Sequence, residues 1–239
     1  MDDGESGGRH IDRVFEGELR ALRESITLMA GRVELMIAGS VRALMGADVE
    51  LAGRIIAEDA RVNRAELEID ELCLLLLAKR QPVAGDLRFI TFTLKMVTDL
   101  ERVADLAVNI AERVRDLQRD PPSFALHDGI GRMTEIVQSM ISDAIDSFVQ
   151  RDIETAQSVI DSDDEIDALY HKVFGDLLRG LHGMPEAGMR ALIHVMSVAK
   201  WLERMGDHAV NVAELVIFMV NGDDVRHLGK RGLDDARDD

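Results

Sequence analysis

The sequence predicts an all-α fold: a tandem duplication of an antiparallel three-helix bundle, six helices in all. Three observations carry this. Aromatic residues make up 4% of the chain and there are 4 prolines, against 46% apolar and 31% charged residues, a profile that suits helices packed through Leu, Ile, Val, Ala and Met better than sheets. Apolar residues recur three and four apart over long stretches. And the second half of the chain repeats the first.

The repeat is dense. Asp86 to Val114 reads DLRFITFTLKMVTDLERVADLAVNIAERV, and Gly188 to Val216 reads GMRALIHVMSVAKWLERMGDHAVNVAELV. They align without gaps at an offset of 102, with Arg88/Arg190, Leu100/Leu202, Glu101/Glu203, Arg102/Arg204, Asp105/Asp207, Asn109/Asn211 and Glu112/Glu214 identical. Upstream the offset is 104: Asp48-Val49-Glu50 matches Asp152-Ile153-Glu154, and Asp59, Val62 and Asn63 match Asp163, Ile166 and Asp167. The two-residue change falls near Gln81–Gly85 and Leu181–Gly188, where loops are expected.

Each element then follows in order. The first copy reads as helices over about 12–45, 49–79 and 85–118, the second as helices over about 128–150, 152–180 and 186–220. Asp48 caps the second helix with Glu50 in its first turn, and Asp152 is the equivalent cap in the second copy. Gln81-Pro82 and Gly85 form the next turn, because Pro82 cannot continue a helix interior. Asp120-Pro121-Pro122-Ser123 ends the third helix, and Gly180 to Pro185 is the turn of the second copy. The domain plan is an N-terminal tail over 1–10, a first bundle over 11–120, a second over 125–221 and an acidic C-terminal tail over 222–239.

Charge limits the partners. A net charge of −17 argues against nucleic acid, which needs a basic footprint, and against direct binding to anionic lipid. It suits cations or a basic patch on another protein. Cys73, the only cysteine, lies in an apolar run and reads as a core residue in a reducing compartment. Met1 to Gly8 has no leader-like pattern, and the longest apolar run, Leu72 to Ala78, is far short of a membrane span. A cytoplasmic chain is expected. Met29, Met36, Met96, Met196 and Met205 are spaced as core fillers, and Trp201 and Phe218 as packing anchors.

Chemistry concentrates on the third helix of each copy, in Glu-Arg-x-x-Asp-x-x-x-Asn: Glu101, Asp105 and Asn109, then Glu203, Asp207 and Asn211. Residues four apart stack on one helix face. At about 100° per residue, the carboxylates of the first copy continue the stripe of Leu87, Ile90 and Leu94 and are expected to point toward a core or groove. The second helix adds Asp59 and Asn63, and Asp163 and Asp167, each pair four apart; antiparallel packing would let the pairs face the third helix. Like charges driven together need a positive partner. Spacing leaves two answers open: salt bridges to Arg54, Arg88 or Arg102 and to Arg190 or Arg204, or a metal ion, for which oxygen-only ligands suit Mg, Mn, Fe or Ca. A di-iron carboxylate enzyme would need Glu-x-x-His on two helices. No Glu here has a His three residues later, and His208 directly follows Asp207. Phosphate-loop, His-Glu-x-x-His and Gly-x-Ser-x-Gly motifs are likewise missing from the sequence.

On DLRFI, DLERVADLAVNIAE and WLERMGDHAVNVAE, and on the twofold acidic signature, the chain resembles the PhoU family of phosphate-transport accessory proteins over about residues 12 to 220. The resemblance implies two three-helix bundles side by side and divalent metal ions (Mg, Mn, Fe or Zn) on the acidic signatures. One cluster would use Glu101 and Asp105 with Asp59, and Asn63 beside it. The other would use Glu203 and Asp207 with Asp163 and Asp167. Asn109 and Asn211 would be flanking ligand candidates. Because Asn63 stands where the second copy has Asp167, the first site is expected to bind more weakly, and Glu203→Ala with Asp207→Ala to remove the stronger one. The resemblance further implies a non-enzymatic homodimer. It would couple the ATPase subunit of a phosphate-uptake ABC transporter to a phosphate-sensor histidine kinase, restrain uptake and starvation signalling, and touch the membrane only through those partners.

Overall fold

The computed structural model describes residues 4–119, 128–181 and 183–221. They form six helices: α1 (Gly4–Gly46), α2 (Val49–Arg80), α3 (Ala84–Arg119), α4 (Asp128–Gln150), α5 (Ile153–Gly180) and α6 (Glu186–Asn221). Five of the six agree with the expected spans to within a residue or so at each end. The exception is α1, which begins at Gly4 and so runs through residues read as a tail. Its early glycines lower helix propensity without ending a helix, and no proline intervenes. The expected linker at Asp120–Ser123 and the tail from residue 222 lie outside the described residues.

The same turn builds both α1–α2 and α4–α5. Ala47 (φ 51°) and Arg151 (φ 59°) take left-handed backbone. The next amide reaches back to the carbonyl five residues earlier, Asp48 N to Ala43 O and Asp152 N to Ser147 O, both 2.9 Å. The helix that follows is capped as expected: Asp48 accepts from the Leu51 amide, and Asp152 from those of Glu154 and Thr155. Such short turns force antiparallel neighbours.

The two units share one core. Helices α3 and α6 cross at its centre, where Phe92 packs on Phe218 with the rings tilted by 51° (5.3 Å), His208 Nδ1 donates to Asp99 Oδ1 (2.9 Å) and the Arg113 guanidinium lies over Trp201 (5.6 Å). These pairs ascend α3 while descending α6, so the helices are antiparallel, with Val103 and its repeat equivalent Met205, both fully buried, near the crossing. Helix α1 lies against α4, and Gln138 Nε2 donates to the Glu34 carbonyl (3.4 Å). Met29, Met36, Met96 and Met205 are fully buried, and Met196, Trp201 and Phe218 pack on the core. Cys73 is buried and its thiol is pushed up to about 12 by burial, which makes it inert packing.

Candidate metal centre

Helix α2 packs on α3, and α5 on α6, so each copy forms a groove whose walls carry the acidic pairs. In the first, Asn63 Nδ2 donates to Asp59 Oδ2 (3.0 Å), leaving Asp59 Oδ1 and Asn63 Oδ1 buried with no hydrogen-bond partner. Across the groove stand Glu101, half-buried, and Asp105, exposed at the rim. Burial holds the Asp59 carboxyl above its usual range, and the Asp105 charge adds to this, against the Asn63 hydrogen bond. Glu101 is raised first by burial, then by Asp105, Glu66 and Asp59, with Arg102 opposing.

Glu66 is a member that the repeat pattern does not reveal. The Thr98 hydroxyl donates to its Oε1 (3.3 Å). Its carboxyl is raised by burial, with Asp70 and Asp105 adding to the shift against the Thr98 bond and Arg102. Asp70, raised by burial, keeps a buried Oδ1 without a partner.

In the second groove Asp207 is raised by burial, then by Glu203, Asp163 and Asp167, with Lys200 opposing. The Lys200 ammonium sits 2.6 Å from Glu203 and 5.3 Å from the Tyr170 ring. The repeat equivalents of Lys200 and Tyr170 are Thr98 and Glu66. Glu66 therefore offsets the charge that Asn63 removes, and each groove carries four carboxylates. In the first, Arg102 opposes the shifts of Glu66 and Glu101 while pairing with Asp99. The second holds its own cation against its central glutamate.

Several other expectations change. Leu87 is 40% exposed, so the inward stripe of α3 runs instead through Phe89, Ile90, Thr93, Met96, Val97, Leu100 and Val103, and Glu101 and Asp105 lie at its margin facing α2. Of the arginines expected to neutralise the clusters, Arg54 pairs with Glu50, Arg190 with Glu186 and Arg102 with Asp99 at 3.7 Å. Asn109 is half-buried and Asn211 exposed, and among the described residues no hydrogen bond joins either to a cluster. Among the described residues, no three Asp, Glu, His or Cys side chains converge as a ready-made ligand cage. The carboxylates sense one another across the grooves without closing on a point.

The donor set still fits a hard divalent ion. It is all oxygen, it is crowded with like charge, and in the first groove it includes the buried, unpartnered Asp59 Oδ1 and Asn63 Oδ1. The raised carboxyls give metal-free protein a definite pH dependence. Where a folded-state pKa lies above the unfolded one, the native state binds more protons, so stability falls as pH rises through that window. Melting temperature in chelator should therefore rise as pH is lowered from about 7 to about 5, above the ordinary carboxylate range near pH 4. With Mn added the slope should invert, because protons displace the ion. Melting curves at the two pH values check both signs, and parallel slopes would remove the grooves as the cause.

A duplicated three-helix protein with an acidic groove in each copy is the class these features define. The PhoU domain model matches residues 26–114 and again 130–216, one match for each copy. The chain is 37% identical over 226 residues to the phosphate-specific transport system accessory protein PhoU homolog of Rhizobium meliloti (strain 1021), covering 95% of this chain and 94% of that one. It is 32% identical to the PhoU protein of Escherichia coli (strain K12), covering 95% and 93%. The crystal structure of PhoU from Pseudomonas aeruginosa superposes with a TM-score of 0.82 at 36% identity, over 87% of this chain and all of that one. The chain belongs to the PhoU family.

Proposed function

We propose that this chain is a metal-binding, non-catalytic adaptor that restrains phosphate uptake and the phosphate-starvation response, coupling a phosphate ABC transporter to a sensor histidine kinase. The relatives' names place them with the phosphate-specific transport system. The observation that carries the metal reading is the first groove: burial, with the neighbouring charge of Asp105, holds the carboxyls of Asp59, Glu66 and Glu101 above their ordinary range, and the buried Asp59 Oδ1 and Asn63 Oδ1 have no partner. A divalent ion bound there supplies charge neutralisation and a link between α2 and α3. Asp59, Asn63, Glu101 and Asp105 would hold it, with Glu66 beside them. Asp163, Asp167, Glu203 and Asp207 are the second set, with Asn109 and Asn211 one turn beyond. Among the described residues no helix is long and apolar enough to cross a membrane, so membrane contact through partners, and a cytoplasmic location, fit the reading. A homodimer remains part of it.

Lys200 favours a metal-free second groove at ion concentrations that already load the first. Lys200→Thr, which installs the residue of the first copy, should tighten divalent binding there about tenfold, a change of about 1.4 kcal/mol. The full Coulomb value of a unit charge is discounted because Lys200 is 47% exposed. Calorimetric titration with Mn checks this; unchanged affinity would mean that Lys200 does not compete. The adaptor role is tested by deleting the gene and reading a phosphate-starvation reporter in high phosphate. Derepression that the wild type reverses, but that a first-groove variant which folds does not, is the expected outcome. A reporter that stays silent after deletion would reject the regulatory role.

A further inference from the structure

A third groove, unrelated to the acidic ones, runs along the first copy between α1 and α2. Its widest part encloses about 410 Å³, and four arginines line it: Arg32 and Arg42 from α1, Arg54 and Arg61 from α2. Met36, Leu51 and Ile55 form the floor. A smaller stretch of about 130 Å³, bounded by Ser25, Leu28, Glu68 and Ile69, continues it past Arg32. Together they follow α1 from Ser25 to Arg42, about 26 Å at 1.5 Å per residue, which is the length of a helix of nearly five turns and far more than a small anion occupies. Leu28 and Leu35, two turns apart on the α1 wall, are 69% and 73% exposed.

The charge here is opposite to that of the protein. Glu58 pairs with both Arg32 (2.9 Å) and Arg61 (2.8 Å), and Arg54 with the exposed Glu50 (2.8 Å). Arg42 has no ion pair or hydrogen bond among the described residues. The wider part of the groove thus has a surplus of positive charge, with Glu68 the one carboxylate lining the narrower stretch, on a chain whose net charge is −17. The duplication supplies an internal control. At the same places in the second copy, Arg32, Leu35, Arg42, Arg54 and Arg61 become Ile136, Ser139, Asp146, Ser158 and Glu165. The corresponding α4–α5 cleft is only about 190 Å³ and is lined by Glu135, Glu165 and a single arginine, Arg132. Both copies keep the buried counterparts Met36 and Met140, so the shared fold does not require the arginines and leucines. Close helix approach does matter in the first copy: a Cβ on Gly39 would meet Ile55 Cδ1 at 2.4 Å.

We infer that this groove docks an acidic amphipathic helix of a partner protein, with the partner's apolar face on Leu28, Leu35 and the floor, and its carboxylates on Arg42 and Arg54. Groove length and apolar floor match helix-in-groove recognition, and guanidinium forks suit carboxylates. The inference deepens the adaptor reading by giving it a docking face. It does not depend on metal, and the binding test below can succeed or fail whatever the phosphate response does.

The probe is a fluorescein-labelled 18-residue helix with Leu at i, i+3, i+4 and i+7 and Glu on both flanks, titrated with the full-length protein by anisotropy. The control protein carries Leu35→Ser, Arg42→Asp and Arg54→Ser, the residues of the second copy; all three sites are exposed, and an unchanged melting curve establishes that it folds. Saturable binding that weakens at least tenfold in this variant, weakens with salt and vanishes when the flanking Glu are replaced by Lys supports the docking face. No saturable binding, equal binding to the variant, or equal binding of the Lys peptide overturns it. So does displacement of the peptide by inorganic phosphate against a chloride control of equal ionic strength, which would assign the groove to a small anion. Variant-sensitive co-sedimentation with phosphatidylglycerol vesicles, in the absence of peptide binding, would assign it to a membrane surface and also overturns the proposal.

Discussion

Replacing Glu101 with Gln and Asp105 with Asn should abolish most of the thermal stabilisation that divalent ions give this protein, while slightly raising the melting temperature in chelator. Both changes keep side-chain shape and remove charge. In metal-free protein the two carboxylates, one turn apart on α3, repel each other and the facing Asp59 and Glu66. Relief of an i, i+4 like-charge pair is worth a few tenths of a kcal/mol. The metal-dependent loss is much larger. An ion present at a hundred times its dissociation constant stabilises by about 2.7 kcal/mol, or roughly 5–10 °C for a chain of this size. The matching pair Glu203→Gln with Asp207→Asn should remove less, because Lys200 already neutralises part of that groove. This reverses the ranking that Asn63 alone suggests. Scanning calorimetry in EDTA and in Mn distinguishes the two pairs. An unchanged Mn shift in the first variant would place the ion elsewhere, and a loss of helical circular dichroism would mark those carboxylates as structural.

The fold was almost wholly legible because it rests on signals that repeat. Asp48 and Asp152 cap, Pro82 and Pro185 sit in turns, and the three-and-four spacing survives in every helix. The acidic pairs were legible for the same reason, since Glu101/Asp105 and Glu203/Asp207 are identical between copies. What the duplication concealed is the set of departures from it. Glu66 has Tyr170 as its counterpart and Thr98 has Lys200, so a search for shared residues passes over the very positions that set the charge of each groove. The arginine groove escaped for that reason too, and because Arg32, Arg42, Arg54 and Arg61 come together only once α1 and α2 lie antiparallel. Angular position alone also misjudged depth. Asp105 and Asp207 sit at groove rims, since α3 and α6 turn their richest apolar faces toward each other and toward α1 and α4.

Phe89→Ala should be the most damaging single truncation, costing about 3–5 kcal/mol. Phe89 is fully buried at the start of α3, and its ring lies 5.2 Å from that of Phe148, tilted by 30°. The guanidiniums of Arg23 and Arg151 lie 5.1 and 5.6 Å from its centroid, and Arg151 also pairs with Asp86 at 3.3 Å. The ring thus joins α1 and α3 of the first copy to the end of α4 in the second, at a point where repeat symmetry is broken: the counterparts of Phe89 and Phe148 are Ala191 and Leu44. Removing it leaves a cavity and strips both cations of their aromatic face. Phe148→Ala should cost a similar amount, and the double variant less than the sum by about 0.5–1.5 kcal/mol, the value of an aromatic pair beyond its burial. Urea unfolding followed by Trp201 fluorescence and by circular dichroism supplies the sharper test. Trp201 is the only tryptophan and lies on α6 beneath the Arg113 guanidinium of α3, so its signal reports the second copy together with its seam to the first. If the two copies share one core, a truncation seated in the first must lower both midpoints together. A Trp201 midpoint that holds while the helical signal shifts would show that the duplicated halves unfold as separate units, joined at α3 and α6 by less than their packing implies.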